Sequence, residues 1–132
     1  MDQKKIRDYV ENQIRPLELK ELKIKHLGKG SCTLEVEVTD KQLNYLGIVH
    51  GGIIFAICDS CAGVTANTLT NSAVTLNASM NFIRSVKTGT IRATSSTIHS
   101  GKSTSVVRVE AYDNKGSLLA DGTFTMYNIT KA

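Results

Sequence analysis

The order of hydrophobic periodicities in this chain predicts an α+β fold in which a long antiparallel sheet wraps a central buried helix. Three observations carry this. A glycine-rich turn leads into one apolar segment at residues 53–69, apolar on nearly all sides, as a buried helix is. Residues 31–39 alternate cleanly, with Cys32, Leu34, Val36 and Val38 on one face and Thr33, Glu35 and Glu37 on the other. Four long strand-like runs then follow the apolar segment, which sets one helix against one sheet, the simplest two-layer way of burying both.

The elements follow in chain order. Residues 2–14 read as a short N-terminal helix, with Ile6, Tyr9, Val10 and Ile14 at helical spacing, Asp2 placed to cap it and Pro16 to end it. Residues 17–27 alternate imperfectly, as a strand with an irregular start, and Gly28-Lys29-Gly30 turns the chain. Residues 40–52 read as a loop. The four later strands are expected over residues 73–83, 90–99, 103–112 and 117–129. Ser100-Gly101-Lys102 and Asp113-Asn114-Lys115-Gly116 are short turns, which make the last three consecutive antiparallel neighbours. No linker or repeat interrupts the 132 residues, a length that suits a single domain over 1–132.

Composition narrows the function. Hydrophobic residues are 41% and charged residues 21%, with a net charge of +4, an ordinary balance for a globular domain. Aromatic residues are only 5% and tryptophan is absent, which disfavours base stacking and hence nucleic acid as a partner. No run reaches the length of a membrane span, and Met1-Asp2-Gln3-Lys4-Lys5 opens no apolar signal segment. Three cysteines are too few, and odd in number, for a disulfide framework, so a cytoplasmic protein with reduced thiols is expected.

The chemistry concentrates between Asn44 and Asp59. His50-Gly51-Gly52 leaves backbone N–H groups free at a helix start, where the dipole favours negative charge and glycine admits close approach of a ligand. Asp59 falls among Ile53, Ile54, Phe55, Ile57 and Val64, where a carboxylate is costly without a partner or a task. Cys58 and Cys61 form a C-x-x-C pair, but inside an apolar helix rather than at its start, so they read as core residues. Cys32 and three scattered histidines supply no regular metal set.

The chain resembles the PaaI-like acyl-CoA thioesterases of the hotdog-fold superfamily. The resemblance rests on Asn-x-x-Gly-x-x-His-Gly-Gly with an aspartate nine residues after the histidine: Asn44, Gly47, His50, Gly51, Gly52 and Asp59. Val74-Thr75 leading to Asn81-Phe82-Ile83-Arg84, the hairpin His99-Ser100-Gly101-Lys102, and Ala120-Asp121-Gly122-Thr123-Phe124 extend it over residues 17–127. The resemblance implies that Asp59 is the catalytic carboxylate, acting as nucleophile or general base. It implies that the Gly51 N–H polarises the thioester carbonyl, beside Gly52, and that Asn44 positions water or carbonyl. Thr75 falls where relatives orient the attacking water, and His50 shapes the loop. Arg84, Lys102 and Ser103 are candidates for the phosphates of coenzyme A, with solvated loop charges as the alternative. Coenzyme A is part of the substrate, and no separate cofactor or metal is expected.

Helix geometry adds a constraint. Eight residues separate Gly51 from Asp59, or about 12 Å of rise, whereas oxyanion donor and nucleophile must both lie about 3 Å from one carbonyl. Two antiparallel helices related by a twofold axis resolve this, with two equivalent sites per homodimer. The family implies the same sharing and, commonly, pairing of dimers into a homotetramer. An enoyl-CoA hydratase of this fold would need a histidine that the residues after Asp59 lack. The remaining rival is a non-catalytic acyl-CoA-binding regulatory module, whose DNA-binding region the short N-terminal helix could not supply. Aromatic, short and medium acyl chains all stay open.

Overall fold

Alternation decides the sheet. In the computed structural model, which describes residues 3–4, 22–70 and 72–129, Cys32, Leu34 and Val36 of one strand are buried while their neighbours face outward. That strand is β2 (Ser31–Glu37), preceded by β1 (Lys23–Gly28). A single 3-10 turn (Asp40–Gln42) and the helix α1 (Gly51–Asn67) follow, then β3 (Ala73–Phe82), β4 (Thr90–Ser100), β5 (Thr104–Tyr112) and β6 (Leu118–Asn128). The helix expected over residues 2–14 falls outside the described residues, except that residues 3 and 4 are helical and exposed. The beginning of the expected strand at 17–21 also falls outside them.

The six strands form one antiparallel sheet in the order β1-β2-β4-β5-β6-β3, with α1 packed on β2, β3, β4, β5 and β6. β4, β5 and β6 are consecutive neighbours, as their short turns require. β3 does not join them at the β4 side. It pairs with β6 along its whole length, and β2 takes the place beside β4. This is the hotdog arrangement.

The helix begins two residues earlier than its apolar pattern indicates, because Gly51 and Gly52 continue it to the turn. Its core face repeats at helical spacing: Ile53, Ile54, Ile57, Cys58, Cys61, Ala62, Thr65 and Ala66 are buried. They meet Leu34, Ile91, Val107, Val109, Phe124 and Met126 from the inner face of the sheet. Thr65 and Ser95 pair across the helix–sheet contact, and Cys61 Sγ donates to Ser95 Oγ at 3.2 Å, so these two buried hydroxyls are partnered. The expectation of a helix buried on all sides is corrected. Gly52, Phe55, Ala56, Asp59, Ser60, Gly63 and Asn67 make a stripe that the sheet leaves partly or wholly uncovered. Most of that stripe is small, and small residues among apolar ones do not by themselves announce an open face.

Gly122 lies opposite Met80 where β6 meets β3. A Cβ there would sit 2.7 Å from the Ser79 carbonyl oxygen and 2.8 Å from Met80 Cγ. Gly122→Ala therefore forces β3 outward and is expected to cost about 1–3 kcal/mol in a urea unfolding curve. Gly63→Ala, whose Cβ meets nothing within 4 Å, is expected to be neutral or to stabilise by up to about 1 kcal/mol through helix propensity.

Candidate active site

Asp59 leaves the core because its helix neighbours Cys58 and Cys61 must enter it. It is half-buried on the open stripe of α1 and faces β3 rather than the apolar interior expected from its sequence neighbours. The Thr75 hydroxyl donates to Asp59 Oδ1 at 2.5 Å, with Met126 Sδ behind it at 3.8 Å. Both residues line a cavity of about 690 Å³ that continues along the helix past Gly63 to Asn67 and Thr68.

The other half of the motif forms a second cavity, of about 250 Å³, lined by Asn44, Ile48, Val49, Gly51, Ile54, Phe82, Ile83, Arg84 and Ser85. The hydrogen bonds of Asn44 assign its carboxamide. Its Oδ1 accepts the N–H of Leu46 at 2.9 Å and of Ile48 at 3.3 Å, so Oδ1 holds the loop and Nδ2 is the group left to donate. The sharp return at Gly47, with φ +77°, closes that loop. His50 stands at the N-cap without a side-chain cap bond. Its N–H donates to the Gln42 carbonyl at 2.9 Å, and its own carbonyl accepts from Ile53 and Ile54 at 3.0 and 3.3 Å. The helical ladder thus starts at Ile53, leaving the N–H groups of Gly51 and Gly52 ahead of it. The Phe82 ring lies against Gly51, 3.7 Å from where a Cβ would be.

One strand reaches both cavities through an irregularity. β3 and β6 pair Thr75 with Met126 and Asn77 with Thr125, so Leu76 is an extra residue, a β-bulge. Ala73 and Thr75 face the helix before it; Ala78, Met80 and Phe82 face the helix after it. The bulge changes the parity of the strand, presenting Thr75 to Asp59 and Phe82 to Gly51 from the same side.

The structure therefore brings together Asp59 with Thr75, and Asn44 with Gly51 and Arg84, but not the two groups with each other. Lys102 and Ser103 line neither cavity. They sit in the β4–β5 turn, where their carbonyls accept from Asn128 Nδ2 at 3.0 Å and Asn128 N–H at 2.8 Å. Two contributors were missed in the sequence. Phe82 was read as part of a strand and of the resembling segment at residues 81–84 but given no role, and Gln42 only as loop. Gln42 had a signal: Thr39-x-x-Gln42 is a capping box, and Gln42 Oε1 accepts the Thr39 N–H at 3.1 Å.

All three cysteines are free and buried. Burial pushes the Cys58 and Cys61 thiols up to about 12, and Cys32 is raised by the same cause. Among the described residues no cluster of three or more His, Cys, Asp or Glu could hold a metal ion. No helix among them is long and apolar enough to cross a membrane.

Comparison with known proteins identifies the family. Residues 46–120 match the family model of the thioesterase superfamily. A protein of Thermoplasma acidophilum named as an esterase is 31% identical over 109 residues, covering 81% of this chain and 83% of that one. A Streptococcus mutans protein crystallised with acetyl CoA is 35% identical with a TM-score of 0.82, covering 91% of this chain and 96% of its own. The PaaI protein of the Escherichia coli phenylacetic acid degradation operon shares the fold, with a TM-score of 0.81 at 24% identity over 84% of this chain and 81% of its own. The chain belongs to the thioesterase superfamily, and it is a thioester hydrolase with the hotdog fold.

Thiols with pKa raised to about 12 remain protonated at pH 8, with a thiolate fraction of about one in 10⁴. A disulfide-exchange reagent at pH 8 is therefore expected to leave Cys58 and Cys61 unmodified in the folded protein for hours. It should titrate all three thiols at once in denaturant.

Proposed function

We propose that this protein hydrolyses acyl-coenzyme A thioesters to free acid and CoA at sites shared between two copies of the chain. The observation that carries the proposal is the separation of the two half-sites: Asp59 and Thr75 in one cavity, Asn44 and Gly51 in another, about 12 Å apart along one helix. Each half has what the other lacks. Asp59 supplies the nucleophile or general base; Gly51 N–H and Asn44 Nδ2 supply donors for the oxygen that becomes negative as the carbonyl is attacked. The acetyl CoA bound to the S. mutans relative supports a CoA thioester as the ligand.

A twofold pair is supported by the sheet as well. β3 is an edge strand, and its neighbourhood exposes Val74, Leu76, Phe82 and Ile83 by 45–61%, an apolar edge of the kind that single chains seldom leave open. Pairing two copies there would bring the open helix stripes together. Val74 and its register partner Tyr127, with Ile129 beyond, leave a second apolar patch on the outer face, which supports joining of two dimers into a tetramer.

In the reaction, the Thr75 hydroxyl fixes Asp59 through Oδ1, leaving Oδ2 either to attack the carbonyl, giving a mixed anhydride that water then hydrolyses to the free acid and the restored carboxylate, or to take a proton from water as that water attacks the carbonyl. The oxyanion gathers on Gly51 N–H and Asn44 Nδ2 of the second copy. CoA leaves as a thiolate, which needs no strong acid. No cofactor takes part, since CoA arrives with the substrate. Arg84, in the same cavity as Gly51, is the basic group placed to meet CoA; Gly52, Lys102 and Ser103 are its more distant candidates. The buried, protonated thiols suit a cytoplasmic setting, with neither nucleic acid nor membrane as a partner.

Asp59→Asn is expected to keep its fold by circular dichroism and lose at least about 10²-fold in thiol release from acyl-CoA. Near-normal turnover would remove Asp59 from the mechanism. A wild-type protein that binds acyl-CoA without releasing thiol would favour the regulatory binding module instead. Asn44→Asp keeps the loop acceptor but loses the donor. Co-expressed with Asp59→Asn, it should recover about a quarter of wild-type activity, because half of randomly formed dimers are mixed and each has one intact site. No recovery in verified mixed dimers would rule out the shared site.

A further inference from the structure

One buried amide lies outside the helix and the sheet. Among the described residues the buried polar side chains are Thr65, Ser95, Ser105 and Asn128, all on α1 or the strands, and Gln42, 2% exposed, in the 3-10 turn. Burying an amide carries a desolvation penalty that an apolar side chain in the same space would avoid. What the amide adds is direction. Gln42 Oε1 accepts the Thr39 N–H at 3.1 Å, and the Gln42 N–H donates to the Thr39 carbonyl at 3.0 Å, so the turn is closed from both sides.

The backbone of Gln42 then meets the start of α1. Its carbonyl accepts the His50 N–H at 2.9 Å, and the Asn44 N–H donates to the Ile48 carbonyl at 2.7 Å. These two bonds frame the isolated bridge between Leu43 and Val49, which ties the Asn44 loop to the residues entering the helix. The Val49 N–H is held in turn by the Val86 carbonyl at 2.9 Å. The bridge has two effects on the half-site. It sets Asn44 relative to Gly51. It also engages the His50 N–H, so the backbone donors left ahead of the helical ladder are those of Gly51 and Gly52.

We infer that Gln42 is a positioning residue for thioester hydrolysis: its buried side chain holds the bridge that aims the Gly51 N–H and Asn44 Nδ2 at one oxygen. The inference rests on the shared-site hydrolase reading above, in which those two groups receive the oxyanion. Gln42 lines neither cavity and acts only through the bridge. Without its acceptor the Thr39 N–H loses a partner, the turn relaxes, and the bridge moves with it. A displaced oxyanion donor lowers rate more than binding, because its bond strengthens as the charge develops.

The test uses the whole protein and three substitutions. Gln42→Met keeps the length and loses the acceptor, Gln42→Asn draws the acceptor back by one methylene, and Gln42→Glu keeps it in place. Thiol release from acetyl-, hexanoyl- and phenylacetyl-CoA gives kcat and KM on the fastest of the three, in protein shown to be folded by circular dichroism. Amide NMR of glycine-labelled protein follows Gly51 and Gly52, with Gly63 and Gly122 as references. Gln42→Met and Gln42→Asn should each lower kcat about ten-fold with KM within about two-fold. Both should shift the Gly51 and Gly52 amides and leave the references in place, and either one suffices if the other misfolds. Gln42→Glu should keep kcat within about three-fold of wild type. A lowered urea midpoint with kcat of the folded protein unchanged would make Gln42 merely structural and overturn the inference. So would a loss in Gln42→Glu as large as in Gln42→Met, or a rise in KM with kcat held. Full activity in Gln42→Met beside an inactive Asp59→Asn would overturn it and leave the hydrolase reading intact. Wild type that releases no thiol from any probe would instead refute the hydrolase reading, and the aiming of the donors by Gln42 would then stand or fall on the amide shifts.

Discussion

The rotation of α1 about its own axis governs this structure. Eight buried residues from Ile53 to Ala66 must face the concave sheet. Large aliphatic side chains contribute about 1.5–3 kcal/mol each when fully buried. Turning the helix by one residue would withdraw Ile53 and Ile57, a loss greater than the about 1.5–3 kcal/mol that a hydrogen bond to a charged group contributes. The Asp59–Thr75 bond therefore does not aim the helix. Core packing aims it, and Asp59 faces β3 as a consequence. The Thr65–Ser95–Cys61 contacts reinforce the same orientation by giving the buried hydroxyls partners only in that setting.

From that orientation comes a division of labour along one element. The N-terminal end of α1 presents backbone donors beside a loop held by Asn44, and the next turns present a carboxylate held by Thr75. Donors at a helix start cost little, since those N–H groups lack intrahelical partners in any case. A half-buried carboxylate is better tolerated on an open stripe than in the core. Each of the two groups thus sits where the fold can hold it at low cost.

How much of this could be read from the residues varies by the range of the interaction. The alternation of Cys32, Leu34 and Val36 and the turns at Gly101 and Gly116 report local geometry, and β2, β4, β5 and β6 match them closely. The placing of Asn44 beside Gly51, with Asp59 farther along the same helix, was legible because it depends on fixed spacing. The pairing of β3 with β6 was not, because two strands separated by two others in sequence carry no local mark of meeting. The uncovered stripe of α1 was hidden by Ala56, Gly63 and the apolar residues between them, whose types suit burial and exposure alike. The environment of Asp59 was misread for the same reason: most of its chain neighbours are apolar, but the group it meets in space is the Thr75 hydroxyl of β3.

The bulge at Leu76 has a consequence for what kinds of change the fold withstands. The Leu76 side chain is exposed at the β3 edge and makes no part of either cavity. What it adds is one residue of length. Thr75 and Asn77 face consecutive residues of β6, so deleting Leu76 would close the bulge and leave Thr75 and Phe82 on the same face, whereas a further residue inserted there would exceed what a one-residue bulge absorbs and turn one of the two to the outside. The strand withstands shortening at this point better than lengthening.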